Sequence, residues 1–146
     1  MKRSPNAGFS LVELLLVVTI VGIIASIAIP YYYRARQAAE GAATIAHLSV
    51  IRSTQATHYS QKVRYGRMDE IASIHGSLGT TSGTTIVQRG NFRYELDPTT
   101  VTDAQLKSNY RIVATKVSDN SIPYVYVLTQ NGQICQTDPV VRCVGN

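Results

Sequence analysis

The chain has 146 residues, 45% of them hydrophobic, with 14 Lys+Arg against 9 Asp+Glu and a formal charge of +5. The length suggests one domain; much of the apolar content sits in one run near the N-terminus, so the remaining core is modest, a situation in which small domains often need a covalent staple. Lys2 and Arg3 carry two of the positive charges, and without them the side-chain count is 12 − 9 = +3, a mild excess that excludes the footprint of a dedicated nucleic-acid binder and identifies no partner.

The first eight residues, MKRSPNAG, are basic and end in the small pair Ala7-Gly8. From Phe9 to Ile29 the chain then reads FSLVELLLVVTIVGIIASIAI, with Glu13 as its only charge. About 20 apolar helical residues cross the bilayer core. A buried soluble helix can also be apolar all round, but one of this length needs a larger surrounding domain than this chain supplies. An ordinary secretory signal places its small-residue cleavage site after the apolar run; here the small residues precede it, and a cut there would retain the apolar segment. Lys2 and Arg3 favour a cytoplasmic start, while Arg34 and Arg36 flank the far end.

Glu13 is the anomaly. A charge at the middle of a membrane helix costs about 2.5–3.5 kcal/mol on insertion scales, and less near an end. Its carboxylate either snorkels to the interface or meets a positive partner once lipid is gone.

The string Gly8-Phe9-Ser10-Leu11-Val12-Glu13, after a short basic leader and before an apolar helix, resembles the processing site of type IV prepilins. That family includes major pilins, minor pilins and the pseudopilins of type II secretion. The resemblance implies that a prepilin peptidase cuts between Gly8 and Phe9 and methylates the new amine of Phe9. It also implies that Glu13 docks against that amine on the same or an adjacent subunit. Gly22 and Pro30 fall where many family members have a glycine and a proline, and by the same resemblance the stretch between them extends in the filament. The specific motif covers roughly the first thirty residues, and the rest matches in layout only. No cofactor is implied. The partners implied are further copies of the chain in a helical filament, the membrane before assembly, the peptidase and the assembly machinery. The implied location is the bacterial inner membrane first, then an extracellular pilus or a periplasmic pseudopilus.

Pro30 removes a backbone donor and crowds the preceding turn, so a bend is expected rather than a stop. Tyr31-Tyr32-Tyr33 suits a membrane interface, where an apolar ring carries a polar hydroxyl; subunit stacking or electron transfer has no support in the sequence. Beyond it, Ala38, Ala42, Ile45, Leu48, Ile51, Ala56, Tyr59 and Val63 project to one broad face at helical spacing, with Arg36, Glu40, His47 and Thr54 opposite. Arg36 and Glu40 are spaced for an i,i+4 pair, and Gly41 is an isolated cost. One helix from about Phe9 to Lys62 measures about 80 Å at 1.5 Å per residue.

The predicted organisation is therefore a removable leader (1–8), a membrane and filament-core helix (9–30), an amphipathic half (31–63), a connector (64–91) and an antiparallel sheet with a cysteine loop (92–146). In the connector, Met68 to Ala72 suits a short helix and GSLGTTSGTT reads as loop. Alternation at Phe92, Tyr94, Leu96, then Tyr110, Ile112, Ala114, then Tyr124, Tyr126, Leu128 predicts strands. Asn131-Gly132 predicts a two-residue hairpin. The expected fold class is α+β, with three or four antiparallel strands laid on the long helix, which resembles the pilin lollipop.

Cys135 and Cys143 have no second C-x-x-C pair or nearby histidine to suggest zinc. Pairing them closes a nine-residue loop, worth about 2.6 kcal/mol in the chain-entropy model, and an exported domain favours it; the arrangement also resembles the C-terminal disulfide loop of many pilins. His47 and His58 lie about 16 Å apart along the helix, too far to share a metal, and His75 sits in the connector. Solvated or partly packed histidines are expected. No phosphate loop, nucleophile elbow or EF-hand run occurs, so no enzyme is expected. Calcium at Asp119, Asn131 and Asp138, a loop site that some pseudopilins resemble, needs the fold to gather them. DNA capture through Arg64, Arg67, Arg89, Arg93 and Lys107 likewise needs clustering. The leading expectation is a major pilin serving adhesion, motility or colonisation, against a pseudopilin of secretion or competence or a DNA-capturing minor pilin.

Overall fold

The computed structural model describes residues 9–117, 124–138 and 141–144. The described residues form three helices, α1 (Leu11–Lys62), α2 (Met68–Ile74) and α3 (Asp103–Leu106), and seven strands. The strands are β1 (Thr80–Ser82), β2 (Ile86–Arg89), β3 (Phe92–Leu96), β4 (Arg111–Lys116), β5 (Val125–Thr129), β6 (Ile134–Asp138) and β7 (Arg142–Val144). The chain divides into two compact units, Met1–Glu40 and Gly41–Asn146.

In the first unit the helix opens with the Leu14 N–H donating to the Ser10 carbonyl at 3.2 Å. It continues through Gly22 and Pro30 without interruption. The Thr19 and Ser26 hydroxyls are satisfied by their own helix, on the Leu15 and Ile23 carbonyls, both at 2.7 Å. Self-satisfaction of this kind is what a segment without water around it requires. Arg36 and Glu40 make the expected pair at 3.1 Å.

In the second unit the buried face of α1 is not the one the apolar spacing predicts. Leu48 and Ile51 are buried as expected, but Ala42, Ala56, Tyr59 and Val63 are exposed, as is Ala38 in the first unit. Thr44, His47, Thr54, Gln55 and His58 are buried in their place. The reason is hydrogen bonding. Thr54 donates to the Val50 carbonyl at 2.8 Å, and Arg89 donates to His47 Nδ1 at 2.8 Å. Gln55 acts as a spare peptide group: its Nε2 donates to the Gly66 carbonyl and its Oε1 accepts from the Gly66 N–H, each at 2.8 Å. A satisfied polar side chain costs little to bury, so polarity does not decide the face here.

That clamp holds a strained exit from the helix. Val63 ends α1 with φ of 55°, a left-handed conformation that a β-branched residue adopts only when its surroundings over-determine it. His58 Nδ1 reaches the Arg64 carbonyl at 3.0 Å. Arg64 grips both Glu70 oxygens, and the Arg67 N–H donates to Glu70 Oε2 at 2.8 Å. Gly66 is required at the centre, because a Cβ there would meet Ile71 Cγ2 at 2.7 Å.

The sheet has seven strands in sequence order, each antiparallel to the next. This corrects the expected three or four. The connector contributes β1, from the Thr- and Gly-rich stretch that reads as loop, and the short β2, which pairs with β1 on one side and with β3 through Val87↔Tyr94 and Arg89↔Phe92 on the other. The C-terminus adds β7. Strands β3 and β4 alternate as expected, burying Phe92, Tyr94, Leu96, Ile112 and Ala114. Tyr126, Val127 and Leu128 are buried consecutively in β5, while Tyr124 is half-buried just before it. The turn at Asn131-Gly132 is confirmed, but its loop has three residues. Thr129 N–H donates to the Gln133 carbonyl at 3.1 Å and Gly132, at φ 78°, donates to the Thr129 carbonyl at 2.9 Å, the geometry of a type I turn with a G1 bulge. Leu48 and Ile51 join the inner residues of β2 to β6 in one core.

Burial first, then the Arg89 guanidinium, depress the His47 pKa from 6.5 to about 4, against a hydrogen bond to the Leu78 backbone. The Arg64 hydrogen bond, helped by the Arg67 N–H and opposed by burial, holds Glu70 at about 2 instead of 4.5. For both groups the unfolded chain binds more protons as pH falls, so stability decreases downward. Thermal melts of the detergent-solubilised chain should lose stability from pH 6.5 toward 4 as His47 charges on unfolding, and from 4.5 toward 2 through Glu70. His47→Asn should flatten the upper window; an unchanged slope there would contradict this assignment.

Candidate functional site

The N-terminal segment of α1 is apolar on every side. Phe9 is 72% exposed just ahead of the helix, and side chains from Leu11 to Tyr33 stand exposed around it. The helix is long and apolar enough to cross a bilayer. Glu13, in its first turn, is the only charge between Phe9 and Tyr33. An acidic group there is favoured by the helix dipole, but that interaction does not require a residue this costly to bury. Gly8 lies outside the described residues. Gly22 sits within continuous helix with open space where a Cβ would be, so packing in the single chain does not require a glycine. Tyr31, Tyr32 and Tyr33 are exposed, with Tyr32 and Tyr33 edge-on at 5.9 Å.

At the other end of the chain, Cys135 and Cys143 are bonded and face each other directly across β6 and β7, with Ile134↔Val144 and Gln136↔Arg142 on either side. The staple expected from the sequence therefore fastens the edge strand of the sheet.

The arginines proposed for nucleic acid are engaged elsewhere. Arg64 binds Glu70, Arg67 binds Asp103, Arg93 binds Glu95, and Arg89 binds His47. Lys107 is exposed after α3. The neighbouring acids of Arg64, Arg67 and Arg93 lower the local field a phosphate backbone would meet, while neutral His47 holds Arg89 by hydrogen bonding alone. His47 and His58 are buried rather than solvated, both at 4% exposure, while His75 is exposed and bonds Ser77 at 2.8 Å. Asp119 and the side chain of Asp138 lie outside the description, and Asn131 serves the hairpin loop. No cluster of metal-ligating side chains occurs among the described residues.

The prokaryotic N-terminal methylation motif matches residues 3–29, which takes in the exposed apolar helix from Leu11 to Ile29. In this N-terminal segment the chain is similar to type IV pilins. Sixty residues are 37% identical to the type IV major pilin protein PilA of Myxococcus xanthus (strain DK1622), a match spanning 41% of this chain and 27% of that protein. No solved structure matches significantly. The α+β architecture of a long apolar N-terminal helix with a C-terminal antiparallel sheet is pilin-like. The N-terminal resemblance was legible in the sequence; the Gln55–Gly66 clamp was not, because nothing in the spacing of a glutamine reveals which backbone it will pair.

Reducing the Cys135–Cys143 bond should free β7 and lower stability by about 2–3 kcal/mol, as loop-closure entropy returns to the unfolded chain. Calorimetry with and without reductant measures this. An unchanged melting temperature, once both thiols are shown to be alkylated, would mean that the bond contributes nothing.

Proposed function

We propose that this chain is a filament subunit whose N-terminal helix is a membrane anchor first and a shared filament core afterwards. The observation that carries the reading is the exposed apolar segment from Leu11 to Tyr33 with Glu13 as its single charge. Lipid covers that surface in the precursor pool of the inner membrane. In a lipid-free fibre outside the cell, other copies must cover it, and burial at about 25 cal/mol per Å² makes their association strong.

The motif match and the pilin resemblance support removal of residues 1–8 between Gly8 and Phe9, with methylation of the Phe9 amine by a prepilin peptidase. The new amine then lies four residues before Glu13, and the pair neutralises a carboxylate that would otherwise be alone in an apolar core. The weak helix-forming residue Gly22 and the missing donor at Pro30 support local extension of that stretch when copies pack. The role is structural, with no catalytic step. The similarity to a protein named as a major pilin favours a major filament subunit over a secretion pseudopilin, serving adhesion, motility or colonisation.

Glu13→Gln separates docking from anchoring. The variant should insert, lose the leader and accumulate as the parent does, because an amide costs the membrane no more than a carboxylate. Assembly should fail, since truncating one partner of a buried pair costs about 3–5 kcal/mol per subunit. Mass spectrometry of the N-terminal peptide confirms processing, and electron microscopy counts fibres. Normal fibres at normal density would refute the docking role.

A further inference from the structure

Residues 41–146 carry an open groove that neither the anchor nor the disulfide uses. It consists of two adjoining hollows, of about 410 and 440 Å³, which share Tyr110 and Gln130. Along the first, the rings of Tyr59 and Tyr65 lie 4.7 Å apart, and Tyr65 packs on Tyr110 at 4.5 Å. Tyr110 is 5% exposed and Tyr59 37%, so the aromatic ladder is rooted in the core and presents its outer ring to solvent. The Tyr65 backbone is fixed by its N–H on the Leu106 carbonyl at 2.8 Å.

Polar groups surround that ring. Arg52 Nη1 donates to the Gly132 carbonyl at 2.9 Å, which holds the guanidinium over the hairpin loop and uses one of its five N–H groups. The amides of Gln130 and Asn131 stand beside it. In the second hollow Asn109 adjoins an Arg111–Asp97 pair at 2.8 Å.

The chemistry of this lining selects among ligand classes. An apolar ligand needs an enclosed pocket that buries most of its surface, whereas this groove is open and carries amides beside its aromatic surface. An anionic polymer needs a run of uncompensated positive charge, whereas Asp97 offsets Arg111 here. A sugar ring has an apolar C–H face and a rim of hydroxyls that both donate and accept. An aromatic platform matches the face, and amides, which also donate and accept, match the rim. Two hollows sharing a wall suit two successive rings of one chain.

We propose that this groove binds a neutral oligosaccharide, with Tyr59 as the stacking platform and Arg52, Gln130 and Asn131 as hydroxyl partners. The binding belongs to the single chain and does not require assembly.

The test is titration calorimetry of the full chain in zwitterionic, sugar-free micelles with cellotetraose, maltotetraose and, as an anionic control, heparin. At least one neutral tetrasaccharide should saturate with a Kd of ~1 mM or tighter. Tyr59→Ala and Gln130→Ala should each weaken it roughly tenfold, by loss of stacking or of an amide contact. Tyr59→Phe, which keeps the ring, should bind as the parent does. Both tyrosine variants alter an exposed side chain, and an unchanged melting temperature confirms that the fold is intact. Saturation by neither neutral probe, equal affinity in Tyr59→Ala, or binding to heparin alone would overturn the proposal.

Discussion

The account depends on one constraint: the helix carries a run of large exposed apolar residues from Leu11 to Tyr33, and the described residues fold nothing over them. A soluble domain removes such surface by burial in its own core, and the residues of α1 before Tyr33 have no such cover. Something external must cover that surface. Lipid and other copies of the same helix are equivalent to an apolar side chain, so a subunit can exchange one for the other at modest cost. They are not equivalent to Glu13, which tolerates a membrane edge but not a dry protein interior without a partner. In the proposed filament, the carboxylate would make a nonspecific apolar surface discriminate between packings. Only a packing that brings a positive group to it is favourable.

The domain that follows solves a different problem, namely how to hold a sheet on half of a helix with a limited core. Part of its answer is polar. Gln55, His47 and His58 enter the interior from α1 and each meets a partner on another segment: the Gly66 peptide, Arg89, and the Arg64 carbonyl. Such contacts add little net energy individually, but each fixes a geometry, because a displaced partner would leave a buried polar atom unpaired. They also pin the strained turn at Val63, from which the chain leaves the helix. At the far edge of the sheet, where β7 has only one neighbour, a covalent bond does the fastening instead.

This division explains what could be read from residues alone. The extent of α1 was legible, because no breaker other than Pro30 interrupts it and Pro30 falls in a segment whose neighbours are apolar. Strands β3 and β4 were legible because they alternate, and the hairpin because Asn-Gly favours turns. The buried face of α1 was misread for a physical reason: Thr44, His47 and Thr54 count as polar by residue type, yet Tyr94 and Arg89 on the sheet partner the first two and the helix's own Val50 carbonyl satisfies the third. Strand β1 was missed because its Thr-Thr-Ser composition reads as loop, and β2 because its four residues are too short a run to signal a strand before they pair with the edge of the sheet. Of the site, the methylation motif, Glu13 and the cysteine pair were all visible locally. The tyrosine groove was not, since Tyr59, Tyr65 and Tyr110 meet only through the fold.

The central claim is that copies of the chain cover one another's apolar helices, and a three-dimensional reconstruction of native filaments tests it most directly. The account predicts a continuous, lipid-free core built from residues 9–33 of successive subunits, with each Glu13 carboxylate within hydrogen-bond distance of a Phe9 amine and extended backbone between Gly22 and Pro30. A reconstruction in which these helices stand apart, or in which Glu13 faces solvent while the core is built from the sheet domain, would contradict it.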